Sequence, residues 1–204
     1  MYPAKSGLVI AFHGCDKSLR DRIIKGTTSL NCSKNLYDWL GNGIYFWENN
    51  QQRALEFVKE LKKNARDGNI IKTPAVLGAV IDMGFCLDLL DTEYLKLVTE
   101  SHITLLTSCK TLGLEMPVNK SVAQSKDLLL RNLDCAVIEN LHLQRTANKL
   151  TEFDSVRGVF VEGKPLYNGA GFHDKNHIQI CIRNPNCIKG FFLPRAIDNR
   201  FKIP

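Results

Sequence analysis

The 204 residues suit one domain with a substantial buried core. Hydrophobic residues at 44% and charged residues at 24% are the proportions of an ordinary folded chain, and no apolar run reaches the length of a membrane span. The formal charge of +6 permits an anionic ligand or nucleic acid but does not require one.

The sequence begins Met1-Tyr2-Pro3-Ala4-Lys5-Ser6-Gly7 and runs directly into an apolar stretch over residues 8–12, too short for a signal peptide. That stretch reads as a buried strand that delivers His13-Gly14 at its end. Asp16 is a fitting N-cap for a short helix, with Leu19, Ile23 and Ile24 turned inward and Gly26 ending it. Residues 27–43 are polar and turn-rich, pinned to the core by Trp39 and Leu40. After a strand through Tyr45, Asn49 or Asn50 caps a second helix. Its Ala54, Phe57, Val58, Leu61 and Ala65 keep helical spacing, and Gly68 is its stop.

Residues 74–83 are apolar and β-branched and predict a central strand. Beyond residues 87–90, Asp91 or Thr92 starts a helix carrying Leu95 and Val98, and residues 110–122 read as irregular around Gly113 and Pro117. Leu128, Leu129 and Leu133 predict a short helix, residues 135–138 a strand, and residues 140–152 a polar connection. Strands then dominate, at residues 156–161, 178–182 and 188–193, with the glycine-bearing loop 163–177 between the first two. Helices early and strands late predict an α+β fold with a mostly antiparallel sheet, rather than a doubly wound parallel one.

The cysteines at 15, 32, 86, 109, 135, 181 and 187 are odd in number and show no CxxC pairing. Most sit in apolar company, which reads as reduced core thiols in a reducing, cytoplasmic compartment. Neither the cysteines nor the five histidines have zinc spacing, so no metal is expected.

The most informative stretch is Gly41-Asn42-Gly43-Ile44-Tyr45-Phe46, read beside His13-Gly14. Two glycines let the backbone turn with positive φ and give a ligand room to approach it. Tyr45 then offers a flat stacking face, and an imidazole from a separate strand can fix a ligand hydroxyl. The plainer reading is a tight turn into a core strand with a buried tyrosine.

These residues resemble the signature blocks of the diphtheria-toxin-like, poly(ADP-ribose)-polymerase-type ADP-ribosyltransferases. Phe12-His13-Gly14 is similar to that family's strand ending in His-Gly. The Gly-x-Gly-Ile-Tyr-Phe block leading into a helix is similar to its second block. Phe153-Asp154-Ser155-Val156 resembles its Tyr-Asp-Ser-Val segment, and Ile178-Gln179-Ile180-Cys181-Ile182-Arg183-Asn184-Pro185 resembles its Asn-Glu-Tyr-Ile-Val-Tyr-Asp-Pro strand. The resemblance spans nearly the whole chain and implies one catalytic domain over residues 1–204, with the split, two-sheet fold of those NAD-dependent glycosyltransferases.

By that resemblance NAD is the substrate, and His13, Tyr45 and Gln179 stand at the catalytic positions. His13 would hold a ribose hydroxyl, and the Gly14 backbone the nicotinamide amide. Gly43 and Tyr45 would line the nicotinamide site. Phe57 is a candidate for the opposite aromatic face, although its place in the apolar stripe also reads as plain core packing.

Gln179 departs from the family, where a glutamate stands. Glutamine can accept a hydrogen bond but brings no charge, and the lost electrostatic stabilisation is about 2–4 kcal/mol. Polymer synthesis is therefore not expected, and mono-ADP-ribosylation of a protein or nucleic-acid acceptor is. Glu48, Glu162, His173 and His177 are candidates to replace the missing acid, while His102 and His142 have no constellation around them. The resemblance implies a bacterial toxin or phage-defence effector, with an antitoxin or immunity partner and no membrane association. A catalytically weak NAD- or ADP-ribose-binding module is the second reading. An RNA 2′-phosphotransferase would need clustered arginines, which the sequence lacks. The loop 163–177, with Tyr167 and Phe172, is expected to choose the acceptor.

Overall fold

The computed structural model describes residues 7–64, 71–121 and 127–202. Residues 1–6, Ala65, Gly68 and Val122 lie outside the described residues. The described chain is α+β, with strands β1 (Val9–Asp16), β2 (Ile44–Glu48), β3 (Pro74–Ile81), β4 (Cys86–Asp88), β5 (Asn119–Lys120), β6 (Leu130–Arg131), β7 (Ser155–Phe160), β8 (His177–Ile182) and β9 (Ile188–Phe192). Its helices are α1 (Lys17–Ile24), α2 (Gln51–Lys63), α3 (Thr92–Leu112) and α4 (Asn132–Ala147).

Seven strands form one continuously hydrogen-bonded sheet in the order β4-β7-β8-β2-β1-β3-β9, while β5 and β6 make a small separate pair. Every pairing is antiparallel except β4 with β7. The mostly antiparallel α+β expectation therefore holds, whereas two comparable sheets are not what the described strands form. The strand at residues 74–81 is second from an edge rather than central.

Local signals explain most boundaries. Asp16 caps α1 by accepting from the Ser18 amide at 2.9 Å, and Gly26 follows the helix with φ of +70°. Asn50 caps α2 by accepting from Arg53 N at 2.9 Å. Asp91 caps α3, and Gly113 ends it in the left-handed conformation, so residues 110–112 are helical rather than irregular. Ile24 and Leu61, expected inside, are exposed.

The region 128–152 is where sequence and structure part. Residues 135–138 are not a strand but the second turn of α4, and the expected polar connection is helical as far as Ala147. Leu128 and Leu129 are not helical, and Leu133 lies in the first turn of α4 instead. Cys135-Ala136-Val137-Ile138 has the apolar content of a short strand, but the buried set Ile138, Leu141 and His142 continues at helical spacing. Arg131, at the N-cap, offers no side-chain cap. The Asn119 side chain substitutes from β5, accepting from the amides of Leu133 (2.9 Å) and Asp134 (3.2 Å).

Three apolar clusters flank the sheet. Ala11, Phe46, Leu77 and Ile180 pack with Ile23 of α1; Leu40, Tyr94, Ile138 and Val156 pack under α3 and α4; Phe12, Trp47 and Val76 pack with Ala54 under α2. A fully buried side chain such as Phe46 contributes about 1.5–3 kcal/mol by leaving water.

Candidate functional site

Strand β1 is paired with β3 along its full length, Val9 opposite Ile81 through Asp16 opposite Pro74. Its ladder with β2 covers only Ala11 opposite Glu48 and Phe12 opposite Trp47. Just before that ladder, the Asn49 amide donates to the Ile10 carbonyl at 2.9 Å. Backbone groups alternate sides along a strand, so Ile10, Phe12 and Gly14 all turn their N–H and C=O toward β2. A continued ladder would set the Gly14 amide on the Tyr45 carbonyl. Instead that carbonyl lies 2.7 Å from His13 Nδ1, and the Gly14 amide stays outside the ladder. The two strands part at this point, with His13-Gly14 on one lip and Tyr45 on the other.

A carbonyl only accepts, so His13 Nδ1 carries the proton and Nε2 is the acceptor when the ring is neutral. Burial lowers the His13 pKa, opposed by the Tyr45 carbonyl, and this favours the neutral ring at pH 7. The ring also packs 5.7 Å from Phe46, centroid to centroid.

Tyr45 donates its hydroxyl proton to the Gly41 carbonyl at 2.6 Å and accepts from the Leu40 amide at 2.9 Å. Its ring packs against the cluster under α3 and α4, and burial pushes its pKa up. The tyrosine thus closes the turn that precedes it.

The glycines serve the fold more directly than expected. Gly41 has φ of +79°, and a Cβ there would run into Glu139 and Ile138. A Cβ on Gly43 would meet the Cys181 sulfur and the Ile182 carbonyl, and one on Gly14 the Ala54 carbonyl of α2. Space at all three positions is taken by protein, so any ligand at Gly14 approaches edge-on, through the gap between the strands.

Two residues that the sequence did not point to hold the Gly41-Asn42-Gly43 turn. Glu139 of α4 accepts from the Asn42 amide (2.8 Å) and from Asn42 Nδ2 (2.9 Å), and Arg183 reaches both Glu139 (2.5 Å) and the Asn42 carbonyl (3.0 Å). Glu139 follows the buried Ile138 in sequence, which was its only signal.

Gln179 lies on β8 opposite Trp47 and, on its other flank, opposite Gly158. By strand alternation it shares a sheet face with Tyr45, while His13 is on the other face with Phe46. The structure therefore joins the His13 ring to the Tyr45 backbone carbonyl beside Gly14, but sets the Tyr45 ring, with Gln179, on the opposite face of the sheet. Phe57 stands 4.8 Å from Trp47, ring to ring, in the cluster under α2, as plain core packing requires.

The candidate replacement acids are engaged. Glu48 is bound through both oxygens by Arg157, at 2.5 and 3.1 Å, and Arg157 also pairs with Asp88. Glu162 is buried against Arg53 at 3.1 Å, with His177 Nδ1 3.8 Å away. Burial raises the Glu162 pKa, opposed by Arg53, and lowers that of His177 to about 4. His177 begins β8 rather than ending the loop, and its Nδ1 donates to the Lys175 carbonyl at 2.7 Å. His173 lies in the loop, its Nδ1 3.2 Å from the Gly163 carbonyl. His142 is buried in α4, whereas His102 lines a cavity between α3 and α4. Tyr167 and Phe172 are exposed at the tip of the loop, which is tied across itself by Leu166 N to Phe172 O at 3.0 Å.

Of the seven cysteines Cys32 alone is exposed, and Cys15, Cys109, Cys135, Cys181 and Cys187 are buried free thiols. Among the described residues no group of three or more His, Cys, Asp or Glu is placed to hold a metal, and no helix is long and apolar enough to cross a membrane. Comparison with protein-family models, curated proteins and solved structures finds no match.

Proposed function

We propose that the chain is an NAD-dependent mono-ADP-ribosyltransferase acting on a protein or nucleic-acid acceptor. The observation that carries this reading is the parting of β1 from β2, where His13 takes the Tyr45 carbonyl and the Gly14 amide and carbonyl are turned into the gap. A carboxamide needs one donor and one acceptor side by side, and the backbone of one extended glycine supplies both. Neutral His13, with Nε2 as acceptor, suits a ribose hydroxyl.

In the reaction the C1′–nitrogen bond of the nicotinamide ribose breaks, and nicotinamide leaves with the bonding electrons. The acceptor's nucleophile bonds to C1′ and gives up its proton. Gln179 can orient a hydroxyl but adds no charge to the oxocarbenium-like transition state. A small toxin or defence effector with a separate immunity partner is consistent with this reading. Gln179 also favours the second reading, a module that binds NAD or ADP-ribose and turns it over weakly. Incubation with NAD and measurement of released nicotinamide separates the two: steady release supports transfer, binding without release supports the module, and neither overturns both.

A further inference from the structure

A well-formed hollow of about 480 Å³ is lined by none of His13, Gly14, Tyr45 and Gln179 themselves. It opens between α3 and α4 over the β7 backbone, walled by Leu95 and Val98 on one helix and Val137 on the other. At one end stand Trp39 and Phe160, ring centroids 4.5 Å apart and tilted by 56°. The Arg131 guanidinium lies over both rings, 4.3 Å from the Trp39 centroid and 5.3 Å from that of Phe160. Trp39 is held by its own indole N–H donating to the Leu129 carbonyl at 3.1 Å. Arg131 is held through Nε on the Leu128 carbonyl and Nη1 on Asp134, and its Nη2 makes no hydrogen bond among the described residues.

An apolar hollow of this size, with aromatic walls and one positioned cation, has the make-up of a small-molecule site. We infer that it binds a flat aromatic molecule carrying a single acidic group, the ring system between α3 and the Trp39–Phe160 wall and the acid on Arg131. Asp134 engages Nη1 and leaves the Nη2 edge to donate to the ligand's acid. The site is tested by binding alone, with no NAD turnover in the readout.

The test is titration of the full chain with anilinonaphthalene sulfonate, an aromatic acid, and with phenylnaphthylamine, its uncharged counterpart. Expected are one saturable molecule of sulfonate per chain and about tenfold weaker binding in Arg131→Gln, the scale of one charged contact. The uncharged dye should bind wild type and Arg131→Gln equally. Leu95→Trp, at an exposed helix position on the mouth, should exclude both dyes while its melting stays that of wild type; should it not fold, Thr99→Phe on the same rim replaces it. Unsaturable binding, an Arg131→Gln variant that binds the sulfonate as well as wild type, or a folded mouth-filling variant that still binds overturns the inference.

Discussion

The imidazole of His13 holds the backbone carbonyl of Tyr45 at 2.7 Å, in the place that a Gly14 amide would take in an uninterrupted ladder. One side-chain hydrogen bond thus keeps two neighbouring strands from zipping further. His13→Ala frees that carbonyl to take Gly14, which closes the gap. Expected is loss of NAD turnover with only about 0.5–1.5 kcal/mol of stability lost, the worth of one hydrogen bond. Nicotinamide release and urea denaturation, measured together, check it; wild-type release in the variant would remove His13 from the site.

Tyr45 separates ring from hydroxyl. Tyr45→Phe strands the Gly41 carbonyl and the Leu40 amide, so about 1–3 kcal/mol of stability should go while the stacking face and turnover remain. Tyr45→Ala should abolish turnover and cost about 3–5 kcal/mol, as for other large aromatic truncations. Turnover lost equally in both variants would mean that the turn, not the ring, is what matters.

Gln179→Glu restores the charge that the resemblance implies. Turnover should rise by a factor equivalent to about 2–4 kcal/mol of barrier. Labelled NAD should give a single ADP-ribose unit per acceptor site with wild type, and polymer ladders would contradict this. An unchanged rate in the glutamate variant would place Gln179 outside the reacting centre.

Acid stability follows in part from the buried histidines, His13 among them, whose pKa burial also lowers. His142 and His177 both have pKa values lowered to about 4 by burial, against 6.5 in the unfolded chain. Between those values the unfolded chain binds more protons, so stability rises with pH through the window and is lost as pH falls toward 4. The slope is about 1.4 kcal/mol per pH unit for each histidine. Glu162 runs the other way: burial raises its folded pKa, so above its ordinary value stability falls as pH rises. Neither ring nitrogen of His142 has a partner among the described residues, so His142→Leu should flatten the acid slope without loss at pH 7. Denaturant midpoints at pH 7 and pH 5 decide it; parallel slopes in the two proteins would refute the assignment.

Tyr167 and Phe172 are 62% and 64% exposed, so replacing both with alanine should leave stability within about 0.5 kcal/mol. Transfer to the acceptor should fall far more than NAD affinity. Equal loss of both would put the loop in the NAD pocket, and loss of neither would make it a spacer.

What could be read from the sequence was local. Asp16, Asn50 and Asp91 announce their helices because a cap needs only its next three residues. His13, Gly14 and Tyr45 could be paired because their motifs are short and contiguous. The α4 region could not be read in the same way, since Asn119 caps it from another strand and four apolar residues fit either period. Nor could Glu139 and Arg183 be linked to Asn42, a contact that exists only once α4 and β8 are in place. The Gly14 requirement was visible, but its reason, the Ala54 carbonyl, belongs to packing.

Strand β2 pairs along most of its length with β8, Tyr45 opposite Cys181, and only briefly with β1. During synthesis β2 emerges early and β8 late. In the interval its Ile-Tyr-Phe-Trp run is an open edge with no β8 to cover it, the kind of template on which chains aggregate. Such long-range pairing also slows folding. The growing chain carries that open edge until β8 appears, so expression at lower temperature, with slower aggregation, should favour soluble protein.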